Sequence, residues 1–146
     1  MALIKVSEAN QLQVDWMVAT AQGLPIKHDP MGFKSGSEAG FWIWDESKNG
    51  IQTKIGRIGG AGGGYSPTTN WAQGGLIIDN HKIDIKWSPA RVECFATIAV
   101  LWPKELACGL RSVCRHAPTA LLAAMRAYVV SVLGDEIEVP DASLMS

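Results

Sequence analysis

The sequence predicts an α+β fold in which a mainly antiparallel sheet is packed by an N-terminal and a C-terminal helix. Apolar residues recur at helical spacing in two segments, residues 12–19 and 121–132, which lie near the two ends of the chain. Between them lie short apolar runs rich in β-branched and aromatic residues, as is typical of strands. The chain has 146 residues, of which 47% are hydrophobic and 18% charged. This composition predicts one globular domain that spans residues 1–146.

The first predicted elements are a short strand, a helix and a buried strand. An apolar start predicts a strand over residues 3–6, and the helix that follows it is predicted to end near Gly23. Residues 27–40 contain many breakers and no sustained period, which indicates a loop. The aromatic and β-branched run at residues 41–44 is typical of a buried strand.

The middle of the chain predicts a long glycine-rich loop followed by three strands. Six glycines fall within residues 56–64, a density that disfavours regular structure and predicts a mobile loop. Residues 76–78 and 82–87 predict two strands, and the Asp-Asn pair between them suits the turn of a hairpin. Residues 92–101 predict a further strand.

The C-terminal helix has the strongest helical pattern in the chain. Pro118 suits its first turn, and Gly134 suits its end. Its apolar stripe is interrupted by Arg126, and a guanidinium on that face requires an anionic or carbonyl partner. Asp135, Glu136 and a ligand phosphate are the candidate anions.

Charge and composition argue against several classes of protein. The net charge is -1, so the chain lacks the basic field that binding to bulk nucleic acid requires. We recognise no signal peptide and no apolar run long enough to span a bilayer, so we expect a cytoplasmic protein without membrane association. The cysteines form no CxxC pair and the histidines lie in unrelated segments, so no disulfide framework, metal site or cofactor is predicted.

Residues 65–75 are the best candidate segment for ligand recognition. They combine aromatic rings that can stack on a base, amides that can bind its edge, and glycines that allow close backbone approach. A tight turn that packs Trp71 inward is the alternative, and the sequence leaves both open. The sequence likewise leaves two interpretations of the glycine-rich loop, either a plain connection or a flap whose Arg57 contacts an anion. The predicted ligand-binding residues are Arg57, Tyr65, Ser66, Asn70, Trp71, Gln73, Gly74 and Arg126.

Two blocks of the sequence carry a family resemblance. They are Tyr-Ser-Pro-Thr-Thr-Asn-Trp-Ala-Gln-Gly-Gly-Leu-Ile-Ile-Asp at residues 65–79 and Pro-Thr-Ala-Leu-Leu-Ala-Ala-Met-Arg-Ala-Tyr-Val-Val-Ser-Val-Leu-Gly-Asp-Glu-Ile-Glu-Val-Pro at residues 118–140. Together with residues 12–19, they resemble in matching order the NinX family of bacteriophage proteins, small proteins of temperate phages with a domain of unknown function. The resemblance implies a phage-encoded protein in the host cytoplasm, and it implies no established activity.

The sequence alone does not decide whether the protein binds a ligand or catalyses a reaction. The favoured hypothesis is a phage protein that sequesters a nucleotide-derived signal of host immunity, either a cyclic dinucleotide or a cyclic or conjugated ADP-ribose. The alternatives are an enzyme that cleaves a small nucleotide and a regulator that docks on a host protein. No acid-base pair is evident and no catalytic residue is predicted, because carboxylates such as Asp135 and Glu136 more often lie in solvated turns. We expect a homo-oligomer, because a pocket shared between protomers would better enclose so polar a ligand.

Overall fold

The computed structural model describes residues 2–29, 40–45, 51–55, 64–101 and 110–140. Within these ranges the chain forms three helices, nine strands and a 3₁₀ turn at Val6–Glu8. The helices are α1 (Gln11–Ala21), α2 (Trp71–His81) and α3 (Ala120–Leu133). The strands are β1 (Ala2–Lys5), β2 (Ile26–Asp29), β3 (Gly40–Asp45), β4 (Ile51–Ile55), β5 (Gly64–Tyr65), β6 (Asp84–Trp87), β7 (Cys94–Leu101), β8 (Leu110–Ala117) and β9 (Glu136–Val139).

The strands form three sheets that are mainly antiparallel. The strands β6, β7 and β8 form one sheet in that order, with Cys94 of β7 opposite Ala117 of β8. A second sheet has the order β2, β3, β4, β5, and its last pair is parallel. The first and last strands, β1 and β9, pair antiparallel with Leu3 opposite Glu138. The predicted α+β class is confirmed.

Helix α3 lies at the centre of the core. It packs on β7 and β8 and against both α1 and α2. Nine of its 14 residues are buried, so apolar side chains face neighbours around most of its circumference. Alanines at 123, 124 and 127 are fully buried and leave room for the neighbouring elements to approach closely.

All three helices begin with a side-chain cap. Asn10 forms a capping box with Gln13 at the start of α1, Asn70 caps α2 and Thr119 caps α3. Helix α3 ends at Gly134, which has a φ of 98°, as its predicted end requires. None of these helices has both the length and the apolar composition to span a bilayer.

The predicted hairpin of residues 76–78 and 82–87 is wrong in its first half. Residues 76–78 lie in α2, and β6 pairs with β7 instead. The prediction of helices only near the two ends therefore missed the middle helix. A short apolar run does not distinguish a strand from a buried helical segment. Here the segment is helical, and α2 packs against α3 through the side of the helix that carries the buried Gly74.

Other differences concern segments with weak patterns. The predicted loop at residues 27–40 begins inside β2, and β4 lies within the stretch preceding the glycine run. The strands β8 and β9 were not predicted, because one has a mixed polar sequence and the other is only four residues long. The glycine run up to residue 63, with Arg57, lies outside the described residues. The predicted strands at residues 3–6, 41–44, 82–87 and 92–101 and the two terminal helices are confirmed within one to three residues at most ends.

Candidate functional site

A cleft of about 240 Å³ lies where the first turns of the three helices meet. Gln11, Trp71 and Ala120 are the first residues of α1, α2 and α3, and all three line the cleft. The full set of lining residues is Gln11, Thr68, Thr69, Trp71, Thr119, Ala120 and Leu121. The cleft is therefore built from helix starts and from the turn that precedes α2.

The electrostatic character of the cleft comes from the backbone. The first amides of a helix have no intrahelical acceptor, and each helix start carries a partial positive charge. The caps satisfy the amides of Gln13, Ala72 and Leu122. The amides of Gln11, Trp71 and Ala120 have no intrahelical acceptor, and no ionisable side chain is among the lining residues of this cleft. Such a site favours an anion of low charge.

Trp71 lies at the edge of this cleft and outside the core. Its side chain is 60% exposed. The ring lies beside Gly75, where a Cβ would be 3.8 Å from Trp71 Cε3. The alternative in which Trp71 packs inward is wrong, because the helical position of residue 71 turns its ring toward solvent. An exposed indole at a cleft edge offers a stacking face for a planar ligand.

Thr68 presents a buried polar group to the same cleft. It is only 2% exposed, and its hydroxyl makes no hydrogen bond of good geometry with any described residue. Its backbone amide donates to Asp15 Oδ1 at 3.0 Å, and its side chain also interacts with this carboxyl. A buried hydroxyl without a partner is costly, so an acceptor or donor on a ligand in the cleft would satisfy it.

Asn70 and Gln73 engage the chain itself. Asn70 Oδ1 accepts from the amide of Ala72 and caps α2. Gln73 Oε1 accepts from the amide of Ser66, and Gln73 Nε2 donates to the carbonyl of Gly64, both at 2.7 Å. Both amide side chains therefore hold the turn before α2 in place. Direct contact of either residue with a ligand stays a prediction.

Tyr65, Ser66 and Gly74 are also placed within the packing of this region. The Tyr65 hydroxyl donates to Gln22 Oε1 at 2.5 Å, which ties β5 to the end of α1. Ser66 is 1% exposed, and its hydroxyl has no partner in the described part of the chain. Gly74 allows α2 to approach Pro67 and Leu121 closely. None of these three residues lines the cleft, and their roles as ligand contacts stay predictions.

Arg126 is not among the residues that line the cleft. Its Nη1 donates to the carbonyl of His116 and its Nη2 to the carbonyl of Ala9, each at 3.0 Å. Carbonyl partners are one of the two kinds that the sequence predicts, and they join β8 and the start of α1 to α3. Asp135, one of the candidate anions, pairs with Arg115 instead. Burial lowers the pKa of Arg126 from its ordinary value.

Asp15 is a site residue that sequence reasoning missed. It lies on the buried side of α1, is 2% exposed, and contacts the cleft wall through Thr68. Burial raises the pKa of Asp15 to about 7, against the opposing effect of hydrogen bonding from the Thr68 amide and side chain. The available signal is a single carboxylate between the buried apolar residues Val14 and Trp16.

A second, larger cavity of about 610 Å³ has a charged lining, unlike the cleft between the helix starts. It is lined by Lys5, Ser7, Arg115, Asp135 and Glu136, so it carries charges of both signs. Arg115 and Asp135 already form an ion pair across it. Among the predicted ligand-binding residues that the structure describes, none lines this cavity. Elsewhere in the described ranges, no cluster of three His, Cys, Asp or Glu side chains has the geometry of a metal site.

Comparison with known families identifies the origin of the chain. The family model described as Bacteriophage P22, NinX, matches residues 5–132. The chain belongs to this family. The matched range contains the whole cleft and the block at residues 65–79. No curated protein matches the chain. Membership establishes a bacteriophage family and leaves the activity to be inferred from the site.

Proposed function

We propose that the protein binds a small nucleotide-like anion in the cleft between the three helix starts. The observation that carries the proposal is the position of the exposed Trp71 ring beside three helix N-termini in one concave site. A stacked base contributes about 1–3 kcal/mol, and helix-start amides bind phosphate oxygens. The Thr68 hydroxyl supports the proposal, because it belongs to a residue that lines the cleft and is buried without a hydrogen bond of good geometry.

The size and charge of the cleft narrow the class of ligand. Pockets that enclose drug-sized molecules begin at about 300 Å³, so a cleft of about 240 Å³ suits one nucleotide unit. Because no lysine or arginine lines it, the cleft favours a phosphodiester with one charge over a phosphate with two. A cyclic dinucleotide would place one of its two units here. The other unit would then contact a second surface, which a second protomer in a homo-oligomer supplies.

The biological role that we propose is sequestration. A phage protein in the host cytoplasm would hold a nucleotide-derived immune signal intact, such as a cyclic dinucleotide or a cyclic or conjugated ADP-ribose, and so block anti-phage defence. Such a role requires no acid-base pair in the site, in keeping with lining residues that carry no ionisable side chain. It requires submicromolar affinity, which corresponds to about 8 kcal/mol or more.

Two other functions each have one observation in their favour. An enzyme that cleaves a small nucleotide is favoured by Asp15, whose pKa of about 7 suits a general base. Against it, the carboxyl is buried behind Thr68. A regulator that docks on a host protein is favoured by the exposed Trp71 and Leu76 on α2, which are 60% and 63% exposed.

Calorimetry against a nucleotide panel tests the proposal. The panel is AMP, 3′,5′-cyclic AMP, cyclic di-AMP and cyclic ADP-ribose, with inorganic phosphate as the probe for the anion alone. We expect submicromolar binding of at least one nucleotide, weak binding of phosphate, and recovery of the ligand with unchanged mass after denaturation. Binding followed by a changed mass would assign the protein to the enzymes. A panel without any binding would refute the proposal.

A further inference from the structure

We infer that the cleft takes up a proton together with its anion, and that Asp15 is the positioning residue that carries this proton. The inference rests on the proposed function and adds its regulation. Ligand binding and protonation of a neighbouring group are thermodynamically linked. A ligand that raises the pKa of the carboxyl therefore binds more tightly at low pH.

The geometry places the carboxyl of Asp15 directly behind the cleft wall. Thr68 lines the cleft, and its amide donates to Asp15 Oδ1 at 3.0 Å. The wall between carboxyl and ligand is therefore one residue thick. Asp15 and Thr68 are both 2% exposed, so little water screens the interaction between a charge in the cleft and a charge on Asp15.

The groups around Asp15 do not neutralise it. Tyr65 interacts with it from β5, and the pKa of that phenol is raised mainly by burial and further by the negative charge of Asp15. Tyr128 of α3 acts on Tyr65 in the same way and contacts His81 of α2, with ring centroids 4.7 Å apart. Arg126 of α3 donates to backbone carbonyls. No salt bridge to Asp15 occurs within the ranges that the structure describes.

An anion in the cleft would change the balance at this carboxyl. A negative charge on the other side of Thr68 repels the carboxylate and favours its protonated form. The protonated carboxyl gains an O–H donor, and the oxygen of the Thr68 hydroxyl lies nearby without a hydrogen bond of good geometry. Because burial already raises the pKa of Asp15 to about 7, a modest further rise in this pKa is sufficient to protonate the carboxyl at neutral pH.

The consequence is tighter binding in mildly acidic solution. Uptake of one proton changes affinity by at most tenfold per pH unit. We expect the dissociation constant for a phosphodiester to rise about tenfold between pH 6 and pH 8. The turn at residues 66–70, which Asp15 holds through Thr68, is the element that transmits the effect.

The experiment is calorimetry with 3′,5′-cyclic AMP and cyclic di-AMP at pH 6, 7 and 8. Both are phosphodiesters whose charge stays constant over this range, so a pH effect reports on the protein. Titration in buffers with different heats of ionisation measures the protons taken up. The matched variants are Asp15→Asn, which keeps an acceptor for the Thr68 amide, and Asp79→Asn, which removes an exposed carboxylate on α2.

We expect proton uptake and a pH-dependent affinity in the wild type and in Asp79→Asn, and neither in Asp15→Asn. Equal affinity at pH 6 and pH 8 without proton uptake would overturn the inference and leave the proposed function intact. Retention of the full pH dependence in Asp15→Asn would assign the proton to another group. Failure of both diesters to bind overturns the inference, and failure of the whole panel overturns the proposed function as well. The wild-type measurement decides the matter even if Asp15→Asn does not fold.

Discussion

The α-carbon of Gly74 lies so close to the backbone of Pro67 that a Cβ on residue 74 would be 2.3 Å from the Pro67 carbonyl oxygen. The same Cβ would be 2.7 Å from Leu121 Cδ2 of α3. This contact brings together the start of α2, the turn before it and the start of α3, which are the elements that line the cleft. Residue 74 must therefore be a glycine for the cleft to keep this shape.

Substitution of Gly74 by Ala should destabilise the protein by about 1–3 kcal/mol, because the added methyl group meets backbone that cannot move freely. Gly75→Ala is the matched control. Its Cβ would meet only Trp71 Cε3 at 3.8 Å, so the gain in helix propensity should stabilise the protein by up to about 1 kcal/mol. Urea unfolding measures both. Equal effects of the two substitutions would contradict the close approach at Gly74.

Trp71→Ala should reduce nucleotide affinity by about 5- to 150-fold, which corresponds to about 1–3 kcal/mol for a stacked base. Stability should change by less than about 1 kcal/mol, because the side chain is 60% exposed. Leu76→Ala removes an equally exposed side chain from the same helix but outside the cleft, and it should leave affinity unchanged. Calorimetry and thermal unfolding are the measurements. A loss of several kcal/mol in stability for Trp71→Ala would place the ring inside the core.

Asp15→Asn should change how stability depends on pH. The pKa of this acid is raised on folding, so the fold favours its protonated form and its contribution is lost as pH rises from about 4 through 7. Relative to the wild type, Asp15→Asn should gain roughly 2 kcal/mol between pH 5 and pH 8. Urea unfolding at both pH values gives the difference. A constant difference between variant and wild type would show that Asp15 does not titrate in this range.

Gln73→Leu should destabilise the protein by about 1–3 kcal/mol, because the amide of Ser66 and the carbonyl of Gly64 lose their partners. Asn80→Ala, at an exposed position of α2, is the control and should have little effect. Hydrogen exchange at the Ser66 amide reports on the local bond directly. Unchanged exchange in Gln73→Leu would mean that another group protects this amide.

Local patterns are sufficient for the elements with long apolar periods. Helices α1 and α3 were predicted from apolar residues at helical spacing, and the strands β3 and β7 from short apolar runs rich in β-branched and aromatic residues. The pattern fails at residues 76–78, where three apolar residues fit either a strand or a helix. It also fails at β8, whose polar side chains conceal a strand that the pairing with β7 stabilises.

In the candidate site, too, the sequence predicts some features and not others. The sequence marked Trp71 as a candidate ligand contact but left open whether its ring packs inward, and the structure decides for the exposed position. The amides of Asn70 and Gln73 carry the same chemistry in the sequence as ligand contacts, yet here they bind the backbone within nine residues. Amide side chains serve either purpose, and only their surroundings decide between the two.

By itself, the sequence determined the α+β class, the two terminal helices and the family, because apolar spacing and the order of the blocks at residues 65–79 and 118–140 are properties of the chain alone. The cleft was decided by tertiary structure, since its walls come from residues near positions 11, 70 and 120 that no local pattern relates. The same holds for Asp15, whose pKa is raised by burial and whose hydrogen-bond partner, Thr68, lies 53 positions away in the sequence. Burial removes water from a carboxylate, and which partner replaces that water depends on how the helices pack.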